Sequence, residues 1–281
     1  MTTDKIRICV LVENTAQGSG LLGEHGLSYW IAWDGQRVLM DTGQGTVLAG
    51  NAFKLDVPLH EADAVILSHG HYDHTGGLAD VLRVNHPRVF AHPAALQPKF
   101  ARNRDGSSRE IGIPQAAERA IRRQNGSLVA TVSPTPVLGR LFVTGPVPRV
   151  TDFEDTGGAF FLDAACSVPD PLVDDQAVYF ETRKGIVVLL GCAHSGVVNT
   201  LRYIDSLTGN KPIHAVLGGM HLIHASPERL ARTIEALRAW KIPRLAPAHC
   251  TGMAATVAIW QAFPGQCASC HVGTRFEFDL P

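Results

Sequence analysis

The sequence predicts a layered α/β fold with helices outside the sheets, and three observations lead there. Strand-like and helix-like segments alternate in both halves of the chain. With 281 residues, 45% of them hydrophobic, it can bury a large core. No internal repeat or low-complexity tract interrupts the pattern, and apolar faces distributed in this way are covered by packing helices onto sheets. Residues 1–281 are expected to form a single domain, with a loop-rich insertion or lid around 131–175.

The elements follow in order. In MTTDKIRICVLVEN the apolar run Ile8 to Val12, ended by Glu13, reads as a first strand. Residues 27–41, LSYWIAWDGQRVLMD, are two extended runs joined by Asp34-Gly35, a strong two-residue hairpin signal. DAVILSHGH supplies a buried strand, Ala64 to Leu67, that runs straight into a histidine cluster. Leu78, Val81 and Leu82 then share one helical face, and RVFAH at 88–92 is a further short strand. Residues 131–175 are rich in proline and acidic loops, as in SVPDPLVDDQ. AVYFETRKGIVVLL reads as a hairpin around Arg183 to Gly185, and IHAVLGGMH as a strand ending on glycines and a histidine. Ser226-Pro227 opens a helix as N-cap and first helical residue, with Leu230, Ile234, Leu237 and Trp240 on one face. PRLAPAHCTG closes with a short strand, another histidine and a helix start.

Charge and composition narrow the function classes. A net charge of -1 and a pI near 6.9 lack the basic balance that neutralises a phosphate backbone, so nucleic acid is not an expected partner. The N-terminal apolar run is too short for a signal-peptide core. The longest later one, Ile186 to Leu190, is far below the roughly 20 residues of a membrane helix. A soluble, cytoplasmic protein acting on a small molecule is expected, with no membrane partner. The six cysteines (Cys9, Cys166, Cys192, Cys250, Cys267, Cys270) are too sparse for a disulfide scaffold and are expected as thiols.

The chemistry concentrates in SHGHYDHTGG, residues 68–77. In His69-x-His71 alternate residues of an extended segment can converge on one ion, while Asp73 and His74 at the following turn can reach a second. Neutral imidazoles with a carboxylate suit zinc, and also iron or manganese. Gly70, Gly76 and Gly77 remove side chains that would block close approach.

SHGHYDHTGG resembles the H-x-H-x-D-H signature of the metallo-β-lactamase superfamily. VLVENTA, EHGLSYWIAWDGQRVLMDTGQG, DDQAVYFETRKGIVVLLGCAHSGVVNTL, VLGGMHLIHA and APAHCTG look like the branch that holds dihydropterin ribofuranosylaminobenzene phosphate synthase and many metal-dependent hydrolases. The resemblance covers nearly the whole chain and implies a four-layer αββα sandwich with one or two divalent transition metal ions, zinc foremost, at one edge of the sheets. It puts His69, His71 and a later histidine, here His194 in GCAHSG, on the first ion. Asp73, His74 and a last histidine, here His249 in APAHCTG, fall on the second.

One departure is informative. Where many relatives carry Gly-Asp after the strand, the aspartate bridging both ions, this chain has Gly191-Cys192. Cys192 ligating, Asp175 swinging in, a weak second site and a merely packed Cys192 all stay open. His221 is placed to touch substrate or donate a proton, and Asn14, Glu24 and His25 to line the pocket entrance. Arg102, Arg104 and Arg109 are candidates for holding an anionic group. CASCH, Cys267 to His271, has the spacing of covalent haem attachment, but that chemistry needs export, which is not expected here, and the stretch reads as a C-terminal loop or a stray metal or redox site.

The implied reaction is hydrolysis by a metal-activated water on a small, phosphorylated or ester-type substrate, with Asp73 as the catalytic group that orients the water and shuttles its proton. The alternative is a synthase-like transferase, and a third reading is a non-catalytic metal-binding or redox module.

Overall fold

The computed structural model describes residues 5–103, 105–124 and 126–281. Strands β1 (Lys5–Val12), β2 (Ser28–Trp33) and β3 (Gln36–Met40) run antiparallel. Asp34 (φ 45°) and Gly35 (φ 76°) close the β2–β3 turn, both in the left-handed region that a primed two-residue turn requires. Helix α1 (Leu48–Lys54) leads to β4 (Ala64–Ile66), which pairs parallel with β3 and is buried throughout, as a strand covered on both faces must be. The histidine cluster coils into α2 (Tyr72–Thr75), followed by α3 (Leu78–Val84) and β5 (Arg88–Ala91). Then come β6 (Phe100–Arg102), β7 (Ser108–Glu110), α4 (Gln115–Arg123), β8 (Leu128–Ala130), β9 (Thr135–Val137), β10 (Leu141–Val143) and β11 (Phe160–Phe161).

The second half carries β12 (Ala177–Thr182), β13 (Gly185–Leu190), α5 (Val197–Thr208) and β14 (Ile213–Gly219). It closes with α6 (Pro227–Trp240), β15 (Arg244–Ala248), α7 (Met253–Ala262) and β16 (Arg275–Asp279). Ser226 caps α6, its hydroxyl accepting from the Arg229 amide at 3.1 Å.

The strands form one sheet in the order β16-β1-β2-β3-β4-β5-β8, a second in the order β15-β14-β13-β12-β10-β9, and a small third of β11-β6-β7. Three apolar layers show how they stack. Ile8, Ile31 and Met40 from the first sheet meet Phe180, Leu189 and Leu217 from the second. The alternate residues of the first sheet, such as Leu11, Leu39 and Val65, pack under Leu48, Leu78 and Ile121 of its helices. Val188, Leu190 and Val216 on the far face of the second sheet pack under Leu201, Ile204, Leu237 and Ile259. Period-two alternation thus buries both faces of both sheets and yields the αββα sandwich. Each fully buried Leu, Ile or Phe contributes roughly 1.5–3 kcal/mol.

Part of the 131–175 stretch is built into the sandwich. Phe142 and Val143 of β10 pair with Tyr179 and Val178, so residues 135–143 extend the second sheet, while β11 joins β6. No helix among the described residues is long and apolar enough to cross a membrane.

Candidate metal centre

The C-terminal ends of β1, β3 and β4 meet those of β13, β14 and β15 along one edge, and each strand delivers polar side chains there. Asn14 follows β1, Asp41 follows β3, and residues 68–71 follow β4. Cys192 and His194 follow β13, His221 follows β14, and His249 and Cys250 follow β15. Between His69 and His71 only glycine fits, because a Cβ on Gly70 would meet the Ala95 carbonyl at 2.2 Å.

The first donor set is His69, His71 and His194, whose ligand atoms lie within 4.8 Å of one another. His69 Nε2 faces His71 Nδ1 at 3.0 Å. The His194 ring lies 4.8 and 4.9 Å from those of His69 and His71, centroid to centroid. His194 Nδ1–H donates to the Thr156 carbonyl at 2.8 Å, which fixes the tautomer and leaves Nε2 a bare acceptor. That Nε2 is buried without a hydrogen-bond partner among the described residues, a costly state for a polar atom. Burial holds all three imidazoles neutral: His69 and His194 fall well below the usual range and His71 falls to about 3. Neutral imidazole is the form that ligates a metal.

The second set is Asp73, His74 and His249. His74 Nε2 is 3.2 Å from His249 Nε2, and Asp73 Oδ2 is 3.3 Å from His249 Nε2 and 3.9 Å from His74 Nε2. Outer partners aim both rings. His74 Nδ1 donates to the wholly buried Asp41 at 2.7 Å, and His249 Nδ1 donates to Asn14 Oδ1 at 2.8 Å. Asp41 also accepts from the Ser68 hydroxyl at 2.6 Å, and Ser68 in turn meets His69 Nδ1 at 2.9 Å, so one carboxylate anchors both sets. Burial opposes charge on His74, but the carboxylates of Asp41 and Asp73 outweigh it and raise its pKa to about 9. Asp73 is buried too, yet His74, His249 and His25 hold its carboxyl well below the usual range.

An ion held tetrahedrally by bonds of 2.0–2.1 Å keeps its ligand atoms about 3.3 Å apart. Within each set the nearest pairs of donor atoms lie at 3.0–3.3 Å, with Asp73 Oδ2 and His74 Nε2 at 3.9 Å, and together with a His194 Nε2 that has no partner among the described residues they suit one or two divalent ions.

At the position of the departure, Cys192 Sγ lies 3.2 Å from His74 Nε2, beside the second set. Asp175 does not swing in: its two carboxylate oxygens accept from the His194 and Ser195 amides at 3.0 and 2.8 Å, so it positions the loop that carries His194. Next to it Asp174 accepts from the Gly70 amide at 2.8 Å and from the buried Lys99 ammonium at 2.9 Å, and Lys99 also reaches Asp170 at 2.8 Å.

His71, Asp73, His194 and His249 open onto a cavity of about 330 Å³, small-molecule scale, lined also by Tyr72, Phe160 and Ile223. Asn14 and His25 line it, and His25 Nε2 lies 3.1 Å from Asp73 Oδ2. Glu24 is not at the entrance; its carboxylate is taken up by the amides of Gln44, Gly45 and Thr46. His221 lies against His194, with ring centroids 4.2 Å apart and planes tilted by 43°. Arg102 and Arg109 line the cavity, although Arg102 already donates to the Cys166 carbonyl at 2.7 Å; Arg104 lies outside the described residues. Cys267 and Cys270 sit in different apolar clusters, Cys270 near the Tyr29 hydroxyl with its thiol raised to about 12 by burial, so CASCH is a packed loop.

Sequence reasoning missed Asp41, Thr156, Lys99 and Cys250. Asp41 had a local signal, a charged residue directly after a buried strand. A carbonyl such as that of Thr156 leaves none. Cys250 stands against Cys192 and His221, and although burial opposes its thiolate, Cys192, His221 and His249 hold its pKa well below the usual thiol range.

The model of the metallo-beta-lactamase superfamily matches residues 22–249. The 7,8-dihydropterin-6-methyl-4-(beta-D-ribofuranosyl)-aminobenzene-5'-phosphate synthase of Methanocaldococcus jannaschii is 29% identical, with 98% of this chain and 97% of that one covered. Among solved structures, a metal-dependent hydrolase of the beta-lactamase superfamily is 30% identical with a TM-score of 0.83, covering 98% and 99% of the two chains. The Zn(2+)-bound PqqB of Methylobacterium extorquens, 14% identical with a TM-score of 0.58 over 96% and 99%, shows the fold alone.

Proposed function

The chain belongs to the metallo-beta-lactamase superfamily, and on that premise we propose that it is a metal-dependent hydrolase of a small substrate. His69, His71 and His194 would hold one ion, and Asp73, His74 and His249 a second, with Cys192 at its side. Such ions, zinc foremost with iron or manganese as alternatives, lower the pKa of water toward about 7 and polarise the bond under attack. The observation that carries the reading is the His194 Nε2, buried beside the neutral imidazoles of His69 and His71 without a partner among the described residues.

The chain's own groups account for the rest. Asp73, ionised and facing the cavity, orients the attacking water and takes its proton. His25, about half exposed and in contact with Asp73, passes that proton to solvent. Phe160, against both His71 and His194, keeps bulk water off the donors. Arg109, on the cavity wall, favours an anionic substrate.

Incubation with a panel of phosphodiesters, thioesters and lactones tests this. Turnover of at least one class that stops on chelation and returns with zinc or manganese is expected; no turnover of any class by the metal-loaded chain would overturn it. The full-length likeness to the M. jannaschii synthase favours a second reading, a transferase acting on a dihydropterin. Diphosphate release from a dihydropterin diphosphate and an anionic aminobenzoate, without turnover of the panel, would select it.

A further inference from the structure

Beside the histidine sets the structure gathers a group of different chemistry. Cys192, His221 and Cys250, from the ends of the adjacent strands β13, β14 and β15, each offer one ligand atom, and the three atoms lie within 4.8 Å of one another. Both cysteines are buried free thiols. The Cys250 thiol points at the Cys192 carbonyl from 3.6 Å, a weak contact, and His221 Nδ1 is buried without a partner among the described residues.

Two glycines make the room. A Cβ on Gly219 would come within 2.6 Å of Cys250 Sγ, and one on Gly157 within 1.9 Å of the His221 ring. His221 and His249 take φ of 44° and 51°, left-handed backbone that turns the chain sharply after β14 and β15. All three side chains line the cavity.

We infer that Cys192, His221 and Cys250 form a further cation site, sharing Cys192 with the second histidine set and taking a thiophilic divalent ion such as zinc, with cadmium as its probe. Two sulfurs and an imidazole are the soft donor set that selects such ions. Tetrahedral zinc with bonds of about 2.3 Å to sulfur sets its two sulfurs about 3.8 Å apart, inside the observed span. On binding, both sulfurs ligate as thiolates, and the protons carried by the Cys192 thiol and by the Cys250–His221 pair go to solvent. The site is read by binding, so it stands or falls independently of hydrolysis.

Cadmium titration of the reduced, metal-free full chain, followed by sulfur-to-cadmium charge transfer in the ultraviolet, tests it. A band is expected that falls to about half in Cys250→Ser, one of two thiolates being removed, and persists in His69→Ala. A band of equal strength in Cys250→Ser would overturn the site. Should that variant fail to fold, X-ray absorption at the cadmium edge of the wild-type chain with one cadmium per chain decides: two sulfur neighbours support the site, and one or none overturns it.

Discussion

Asparagine at position 41 keeps the shape of the aspartate but removes its charge from the buried point where His74 and Ser68 both end, at 2.7 and 2.6 Å. In the metal-free chain His74 stays protonated up to about 9, against an ordinary 6.5. That difference is worth ~3 kcal/mol of attraction, supplied against burial by Asp41 and Asp73 together. Its sign is definite: the contribution to the stability of the metal-free chain is fully present below pH 6.5 and is lost as pH rises through about 9. At neutral pH a metal must therefore displace this proton, while Asp41 raises the basicity of the imidazole that receives the metal. Loss of such an outer partner costs about 10–100-fold in metal affinity, or ~1.4–2.8 kcal/mol. The assay is zinc titration at pH 7.5 against a chromophoric chelator, with proton release recorded in weak buffer. Asp41→Asn should bind the second ion about 10–100-fold more weakly and release less of the His74 proton. The first ion should weaken less, because Ser68 stands between Asp41 and His69. Unchanged affinity together with unchanged proton release would refute the reasoning.

Cys192→Asp should raise occupancy of the second histidine set, by restoring a hard carboxylate beside His74, and metal stoichiometry reads the change; a serine variant that loses a metal while the aspartate gains none would instead make the thiol an indispensable ligand. His194→Ala should strip the first ion and abolish turnover, whereas His249→Ala should mainly empty the second set and cut turnover by several orders of magnitude, with His92→Ala and His271→Ala near neutral in metal content and rate. Lys99→Met leaves the buried Asp170 and Asp174 without their cation and should destabilise the chain by about 3–5 kcal/mol in chemical denaturation; a loss under about 1 kcal/mol, as for an exposed pair, would contradict the contacts described.

The parts of the fold legible in the sequence are those whose cause is local. Asp34-Gly35 fixes its turn by backbone preference alone, Ser226-Pro227 starts a helix by capping, and the run before His69 is apolar because β4 is covered on both sides. His194 and His249 have a related context, His249 directly after the buried strand β15 and His194 in the short loop after β13, and the structure brings both to the residues 69–74 cluster. What sequence does not carry is which loops meet beyond the strand ends. Those meetings decide that Asp175 takes the amides of residues 194 and 195 instead of an ion, that Glu24 turns under residues 44–46, and that Lys99 lies between Asp170 and Asp174, far along the chain. The proline-rich look of residues 131–175 likewise hid β9 and β10, because each is only three residues long and offers too little alternation to read.

The central claim is that these side chains hold catalytic metal, and elemental analysis of the wild-type chain, purified without chelator and supplied with zinc and manganese, tests it most directly. At least one equivalent of transition metal per chain is predicted, with the His194→Ala chain clearly depleted alongside it; a wild-type content below about a tenth of an equivalent would contradict the account.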